Sequence, residues 1–417
     1  MISTHPSEFL PARLAADRQE PLGDPSLLDA LDLGRGRWVL VLETAPGLLT
    51  SAVVEERDGF RRARAGDGVA EGLLAQTSGE GRGSFAFRRL GTIGPWSGER
   101  PIEVDQSNES VVVGDAAVVK RFVFTTAGNE RPMVLPAHLV AAGFEEMPAP
   151  LGSAGWEHAD GVASLASITT YLLDARDGWD WYVGLLERSI EDRSLDAVEP
   201  AAALGALSAR LHAALATPTD ELPAPTAAAG ADAVAGWRRS AEADLDSALS
   251  SIDGDEGSRL RERAAAVREE LDELRSQETI AIPIHGDLHV GQFLRWRGGL
   301  VVSDLDGDPL GPGTLMGSPA KDVASLVQSL DHVARIVERR RGGSLVGWIR
   351  DASDACLEAY RGELAALDAS SLFDEQLLRP LRVAQELHEF VYAATYLPTW
   401  RSVPDRALPA LLEERST

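Results

Sequence analysis

A single cysteine, Cys356, occurs among the 417 residues. One chain therefore cannot build a disulfide framework or a cysteine-based zinc site, and Cys356, set in an apolar helical pattern, reads as an inert core thiol. Lysine is almost as scarce: Lys120 and Lys321 are the two lysines among 40 basic residues. A compact point charge for a nucleotide phosphate, unlike the planar fork of arginine, thus has two possible addresses. Basic charge is also outweighed, with 40 Lys and Arg against 65 Asp and Glu and a formal net charge of −25. This excludes the broad phosphate-tracking face of a nucleic-acid binder and suits solubility, or a neutral or cationic small substrate. No apolar run approaches membrane-spanning length, and the first residues lack a basic start followed by an apolar core. The expectation is a cytoplasmic protein without nucleic-acid or membrane partners, as monomer or homodimer.

What is present is enough apolar sequence, 44% of residues with 25% charged, to bury a sizeable core split into two or three lobes. Up to about residue 100 the chain reads as β-rich, with strands at 38–42, 49–54 and 85–87 and a turn signal at Asp58-Gly59. Residues 66–84 are rich in Gly, Ser and Glu but match neither GxGxxG nor the Walker pattern, and are expected to form a mobile surface loop. A hairpin follows: 111–113, a Gly114-Asp115 turn, then 116–122 with Lys120 on the second strand. The turn before it carries Gln106, Ser107 and Asn108. A loop over phosphates followed by a strand lysine is the order a kinase-type nucleotide site uses; a solvent-facing lysine on an edge strand is the plainer alternative. Beyond lie a helix at 132–142 and a strand at 162–173. The chain is mainly helical after 182, with a stripe at Leu204, Leu207, Leu211 and Leu215 and His212 beside it as a core histidine. A Pro/Ala-rich linker spans 217–229, and further helices are expected at 256–277, 321–341, 354–367 and 381–396.

The chemistry concentrates in 284–309. His285-Gly286-Asp287 is followed by Gln292 five residues after the aspartate, then by an apolar strand and by Asp304, Asp306 and Asp308. A kinase catalytic loop places its base Asp and its metal-binding Asn at this offset, with a second metal-binding Asp on the next hairpin; here the Asn is Gln. Asp287 fits a base that takes the proton of an attacking hydroxyl. Gln292 and Asp304 fit hard-oxygen ligands for Mg²⁺ held against ATP. Asp306, two residues on, would share a strand face with Asp304 as a third ligand. His285 is expected to hold the loop backbone, and the role of His289 is open. A hydrolytic metal site at His285, Asp287 and His289 lacks further ligands. A calcium loop from Asp304 fails because Pro309 stands where Gly is needed and Leu315 where Glu is needed. Between Asp174 and Trp181, two indoles and three carboxylates suit either a sugar site or a plain connection.

These motifs resemble those of the aminoglycoside phosphotransferase family, whose fold is similar to that of eukaryotic-type kinases. More narrowly, the 285–292 loop, the 303–309 hairpin, residues 318–334, the 106–108 turn and the Asp177-Gly178-Trp179 segment resemble the bacterial maltokinase branch, and residues 388–411 resemble its glucosamine-phosphorylating members. The resemblance covers about 30–412. It implies an α+β, bilobal kinase-like fold with a β-rich cap (1–100), a nucleotide-binding lobe (101–175) and a mostly helical lobe (176–417) carrying the catalytic loop and the sugar site. It implies ATP and Mg²⁺ as cofactors, Asp287 as base, Gln292 and Asp304 as metal ligands, and Lys120 as phosphate lysine. The substrate implied is a small sugar, D-glucosamine at its 6-hydroxyl; maltose, an aminoglycoside, or no turnover in a kinase-like binding module are the alternatives. For an amino sugar the candidates are Asp180, His289 and, in and just after the last long helix, Glu389, Tyr392 and Trp400, since an ammonium wants carboxylates and a pyranose face wants an aromatic ring. In two places the chain departs from the family: Leu135 stands where a helix Glu pairs with the lysine, with Glu130 a weak substitute, and Lys321 stands beside Asp322 where it would tie down the hairpin.

Overall fold

The structure, a computed structural model, describes residues 25–44, 47–79, 81–102, 108–275, 279–308 and 315–413. Gln106 and Ser107 of the proposed nucleotide turn lie outside the described residues, and Asn108 is its first described member. The chain divides into two compact units, one running to Val140 and from Pro148 to Leu173, the other comprising Ala141–Met147 and Asp174–Thr417. Antiparallel sheets and helices segregated along the chain make the class α+β, as expected. No helix among the described residues is long and apolar enough to cross a membrane.

In the first unit, β1 (Ser26–Gly34), β2 (Arg37–Thr44), β3 (Gly47–Glu56) and β4 (Gly59–Arg62) form a meander, with β9 (Phe124–Thr125) added on β3. A second sheet has the order β5 (Phe85–Arg89), β10 (Pro150–His158), β11 (Gly161–Thr170), β8 (Ala117–Arg121), β7 (Glu109–Val113), β6 (Glu99–Pro101). Residues 69–76, expected to lie in a mobile loop, instead form α1 (Val69–Gln76). Val69, Ala70, Leu73 and Leu74 recur at helical spacing, and all four are buried in one core with Leu31, Val39, Val113 and Leu165. Of the Gly and Ser residues that suggested a loop, all but Gly72 lie at its flanks. The boundary expected at 100 falls inside this unit, because β6 pairs across it with β7 through Glu99↔Val113 and Pro101↔Val111. Lys120 sits on β8 between Ser110 and Ser167. Leu135, on α2 (Arg131–Ala141), is fully buried as a core residue.

The second unit is built on α3 (Gly178–Glu191), α4 (Glu199–Leu215), α5 (Ala231–Ser251), α6 (Gly254–Leu271), α7 (Pro319–Arg341), α8 (Val346–Ala366), α9 (Leu378–Thr395) and α10 (Pro404–Glu413). The stripe Leu204, Leu207, Leu211 and Leu215 is buried on α4, which also buries His212. Cys356 is buried on α8, and burial pushes its thiol up to about 12, so it is inert. The expected linker at 217–229 ends as a strand, β13 (Ala227–Ala229), paired with β14 (Thr279–Pro283), which pairs in turn with β17 (Met316–Gly317). Pairing supplies the backbone hydrogen bonds that an Ala-rich tripeptide could not satisfy alone. A third small sheet joins β12 (Arg176–Asp177), β15 (Phe293–Trp296) and β16 (Gly299–Val302). The 141–147 segment docks here: the Val302 N–H donates to Glu146 O at 2.9 Å, and Arg210 of α4 grips the Glu146 carboxylate at 2.6–3.1 Å.

If α1 is a packed helix, Leu73→Ala should lower the unfolding free energy by about 2–5 kcal/mol. Urea denaturation measures this, and a change below about 0.5 kcal/mol, the usual range for a surface site, would return 66–84 to a surface loop.

Candidate active site

Strand β14 ends at Pro283, and the chain then buries Ile284 and His285 before turning at Gly286, whose φ of 83° favours glycine. The turn is held from α7. Asp322 Oδ2 accepts from the His285 N–H at 2.6 Å and Asp322 Oδ1 from the Gly286 N–H at 2.8 Å. Two helical turns further on, Ser329 Oγ accepts from the Val290 N–H at 3.0 Å. Asp322 is itself braced by His212 Nε2 at 3.1 Å, and His212 Nδ1 meets Tyr360 OH at 2.8 Å. Burial alone would raise the Asp322 carboxyl, but the bond from His212, the His212 and His285 charges and the Gly286 N–H hold it below the ordinary carboxylate range. Asp322, beside the Lys321 expected to tie down the hairpin, thus holds the His285-Gly286 turn.

His285 locks the loop to the next hairpin. Its Nε2 donates to Ser303 O at 2.9 Å, and its Nδ1 faces the Asp287 N–H at 3.4 Å. Ser303 answers with its N–H and Oγ, both donating to Gln292 O at 2.7 and 2.9 Å. Asp287 and Gln292 come together: Gln292 Nε2 donates to Asp287 Oδ2 at 3.0 Å and lies 3.2 Å from His289 Nε2. With the amide nitrogen so engaged, the Gln292 carbonyl oxygen is the end a hard cation would take.

Asp304 follows Ser303 in the left-handed region at φ 60°, which Asp tolerates better than most residues. Here the strand-face argument for Asp306 does not hold. Strand β16 ends at Val302 and residues 305–306 form a turn, so strand alternation does not put Asp304 and Asp306 on one face. Asp308 is instead tethered to α9, with His388 Nε2 at 3.4 Å, while His388 Nδ1 lies 3.6 Å from Asp244 of α5. Burial disfavours the His388 cation, yet the two flanking carboxylates push its pKa up to about 10.

Burial pushes the Asp287 carboxyl up from 3.8 to about 7; the charge of His285 opposes this, and those of Asp308, Asp304 and Glu389 add to it. A carboxyl that titrates near neutrality is matched to taking a proton at physiological pH. His289 is lowered by burial, against the pull of Glu389, Asp304 and Asp177. Among the described residues, no three His, Cys, Asp or Glu side chains close into a metal cluster. Mg²⁺ held against a triphosphate needs one or two protein oxygens, the rest coming from phosphate and water. The Asp304 carboxylate and the Gln292 amide oxygen are a donor set of that kind, and they fit.

The Asp177-Gly178-Trp179 segment packs on this loop. Asp177 caps α3 by accepting from the Asp180 N–H at 3.0 Å. A Cβ on Gly178 would sit 2.3 Å from Val290 O and 2.4 Å from Phe293 O, so only glycine allows the approach. The two indoles then diverge: Trp179 faces Trp400 at 5.5 Å between ring centroids, and Trp181 lies under Arg295. Asp180 is exposed on the first turn of α3. Glu389 joins the Asp287 side, with Oε2 accepting from Trp400 Nε1 at 2.8 Å and Oε1 from Gln385 Nε2 at 3.0 Å. Tyr392 stacks at a tilt on Tyr396. Sequence reasoning missed Asp322, Gln385, His388 and a fully buried pair behind Trp400, Glu386 and His332, 2.9 Å apart. Burial disfavours the His332 cation, but Glu386 outweighs it and raises its pKa to about 9. The only signal available was a polar residue inside an apolar helical stripe.

No family model matches the chain. Curated relatives match it nearly end to end. The glucosamine kinase of Streptacidiphilus jiangxiensis is 42% identical over 413 residues, covering 94% of this chain and 92% of the relative. That of Mycolicibacterium smegmatis (strain ATCC 700084 / mc(2)155) is 40% identical over 407 residues, covering 93% and 98%. Among solved structures, a glucosamine kinase in one crystal form superposes with a TM-score of 0.83 at 38% identity, over 98% of each chain. A glucosamine kinase in complex with glucosamine, ADP and inorganic phosphate superposes at 0.78 and 38% identity, over 98% of this chain and 97% of that one.

Two outcomes are expected. Asp322→Ala leaves two buried loop N–H groups without their acceptor and should cost about 2–5 kcal/mol in urea unfolding; a loss under about 0.5 kcal/mol would mean that the loop is held elsewhere. Asp287 binds a proton between 3.8 and about 7 in the folded chain but not in the unfolded one, so its contribution to stability falls as pH rises through that window. Asp287→Asn should therefore gain stability over the parent at pH 8 relative to pH 4 while losing about a thousandfold in turnover. A pH-independent difference between the two would place the Asp287 pKa in the ordinary range.

Proposed function

The chain belongs to the glucosamine kinase family, and on that premise we propose that it is a cytoplasmic, ATP- and Mg²⁺-dependent sugar kinase that transfers the γ-phosphoryl group to the 6-hydroxyl of D-glucosamine. The observation that carries the reading is the Asp287–Gln292 pair, a carboxylate raised to about 7 and hydrogen-bonded at 3.0 Å to the residue at the metal-ligand offset.

In the proposed reaction Asp287 orients the sugar hydroxyl and takes its proton as the oxygen attacks the γ-phosphorus. Gln292 steadies the carboxylate through its amide N–H. Gln292 Oε1 and Asp304 would hold the metal, with Asp306 next in the same turn as a further candidate. When bound, Mg²⁺ neutralises the charge on the transferred phosphoryl group and on the leaving phosphate. Lys120 of the first unit, with the turn of Gln106, Ser107 and Asn108, is assigned to the nucleotide. Glu389 is assigned to the substrate ammonium, and Trp400 with Trp179 to the pyranose face. His289, beside both Asp287 and Gln292, and Asp180 and Tyr392 on the flanks complete the candidates. The 3.0 Å bond between Gln292 and Asp287 supports the reading, since phosphoryl transfer depends on a base and a metal ligand held at a fixed separation.

Steady-state assays with glucosamine, glucose, maltose and an aminoglycoside test the substrate. Glucosamine should give a kcat/KM at least about tenfold above the others, a margin of about 1.4 kcal/mol. A preference for maltose would overturn the assignment, and no Mg²⁺-dependent transfer to any sugar would leave a binding module.

A further inference from the structure

Glu389 is held through both carboxylate oxygens by neutral donors, Gln385 one helical turn earlier on α9 and the indole of Trp400. Trp400 in turn lies edge-on to the His332 ring, with centroids 5.8 Å apart and planes at 88°. His332 is 3% exposed and Glu386 is 0% exposed. Glu386 Oε1 accepts from both His332 Nε2 at 2.9 Å and Gln328 Nε2 at 2.5 Å, while its Oε2 is buried with no hydrogen-bond partner. Arg382 Nε completes the set by donating to Gln328 Oε1 at 2.6 Å. A buried carboxylate with an orphaned oxygen destabilises a fold. The proton-transfer groups do not use it, and it sits directly behind the residues that face the substrate.

We propose that Gln385 and His332 are positioning residues for the amine-selecting carboxylate, Gln385 by direct bond to Glu389 and His332 by fixing the Trp400 indole that holds its other oxygen. The inference rests on the assignment of Glu389 to the substrate ammonium. A carboxylate fixed at both oxygens cannot rotate to suit a hydroxyl in place of an ammonium, and being pre-set it loses little rotamer freedom on binding. Selectivity for the amino sugar thus belongs to the α7–α9 packing as much as to Glu389.

The test uses the full chain. In Gln385→Leu, the KM for glucosamine should rise about tenfold, as fits loss of one bond to a charged group. The ratio of kcat/KM for glucosamine over glucose should fall by the same factor, with kcat and the KM for ATP within about twofold of the parent. His332→Gln keeps an amide donor for Glu386 but removes the ring edge. It should lower the same ratio and shift the ¹⁵N indole resonance of Trp400, assigned by its absence in Trp400→Phe. An unmoved indole resonance in His332→Gln overturns the relay whatever the substrate is. An unchanged ratio in both variants, where Glu389→Gln does lower it, also overturns it. If Glu389→Gln itself leaves the ratio unchanged, the amine assignment is what fails.

Discussion

The active loop depends on one buried carboxylate. Asp322 accepts two successive backbone N–H groups of the His285-Gly286 turn and is braced from behind by His212 and Tyr360. A charge with 1% of its surface exposed is tolerated only when such donors replace its water. The donors here are the loop backbone itself, so satisfying the charge and shaping the turn are one act. Three helices converge on this point: α7 supplies the acid, α4 the histidine and α8 the tyrosine.

From that anchor, order passes outward through the main chain. The His285 ring carries it to Ser303, Ser303 returns it to Gln292, and Gln292 ends on Asp287. The first two steps end on backbone carbonyls and the last joins two side chains, which fixes position without adding another charge to an already acidic cluster. The cluster is acidic on purpose of chemistry: Asp304, Asp308 and Glu389 all favour a protonated Asp287, and their common field is what a divalent cation and an ammonium substrate would neutralise. His388, set between Asp308 and Asp244, offsets part of that charge and binds the 304–308 turn to the helix that carries Glu389.

Motifs with a short chemical logic were legible in the sequence. The five-residue offset from Asp287 to Gln292 and the following aspartates pointed to phosphoryl transfer, and the helical patterns placed α7 and α9 within three residues at both ends, while α8 begins eight residues before the expected 354 and α6 ends six before the expected 277. Local composition misled where packing overruled it. Gly-rich flanks hid the buried stripe of α1, and alanines at 227–229 read as linker until β14 paired with them. Asp304 and Asp306 seemed to share a strand face because nothing local announces that β16 stops at Val302. Trp179 and Trp181, equal as letters, part company once Gly178 presses the start of α3 onto Val290 and Phe293.

By itself, then, the sequence determined the reaction class, because Asp287, Gln292 and Asp304 lie within eighteen residues of each other at the offsets of a phosphotransfer motif, and their spacing is imposed by one loop and one hairpin. The tertiary structure alone decided what holds them and which distant side chains gather beside them. Asp322 lies 35 residues beyond Asp287, while His212 and Tyr360 approach it from either side of the motif, and Glu389 comes from a helix about a hundred residues on, with Trp400 just past its end. Side chains so far apart in the chain meet only through helix packing, and no periodicity within one segment encodes which helix will face which.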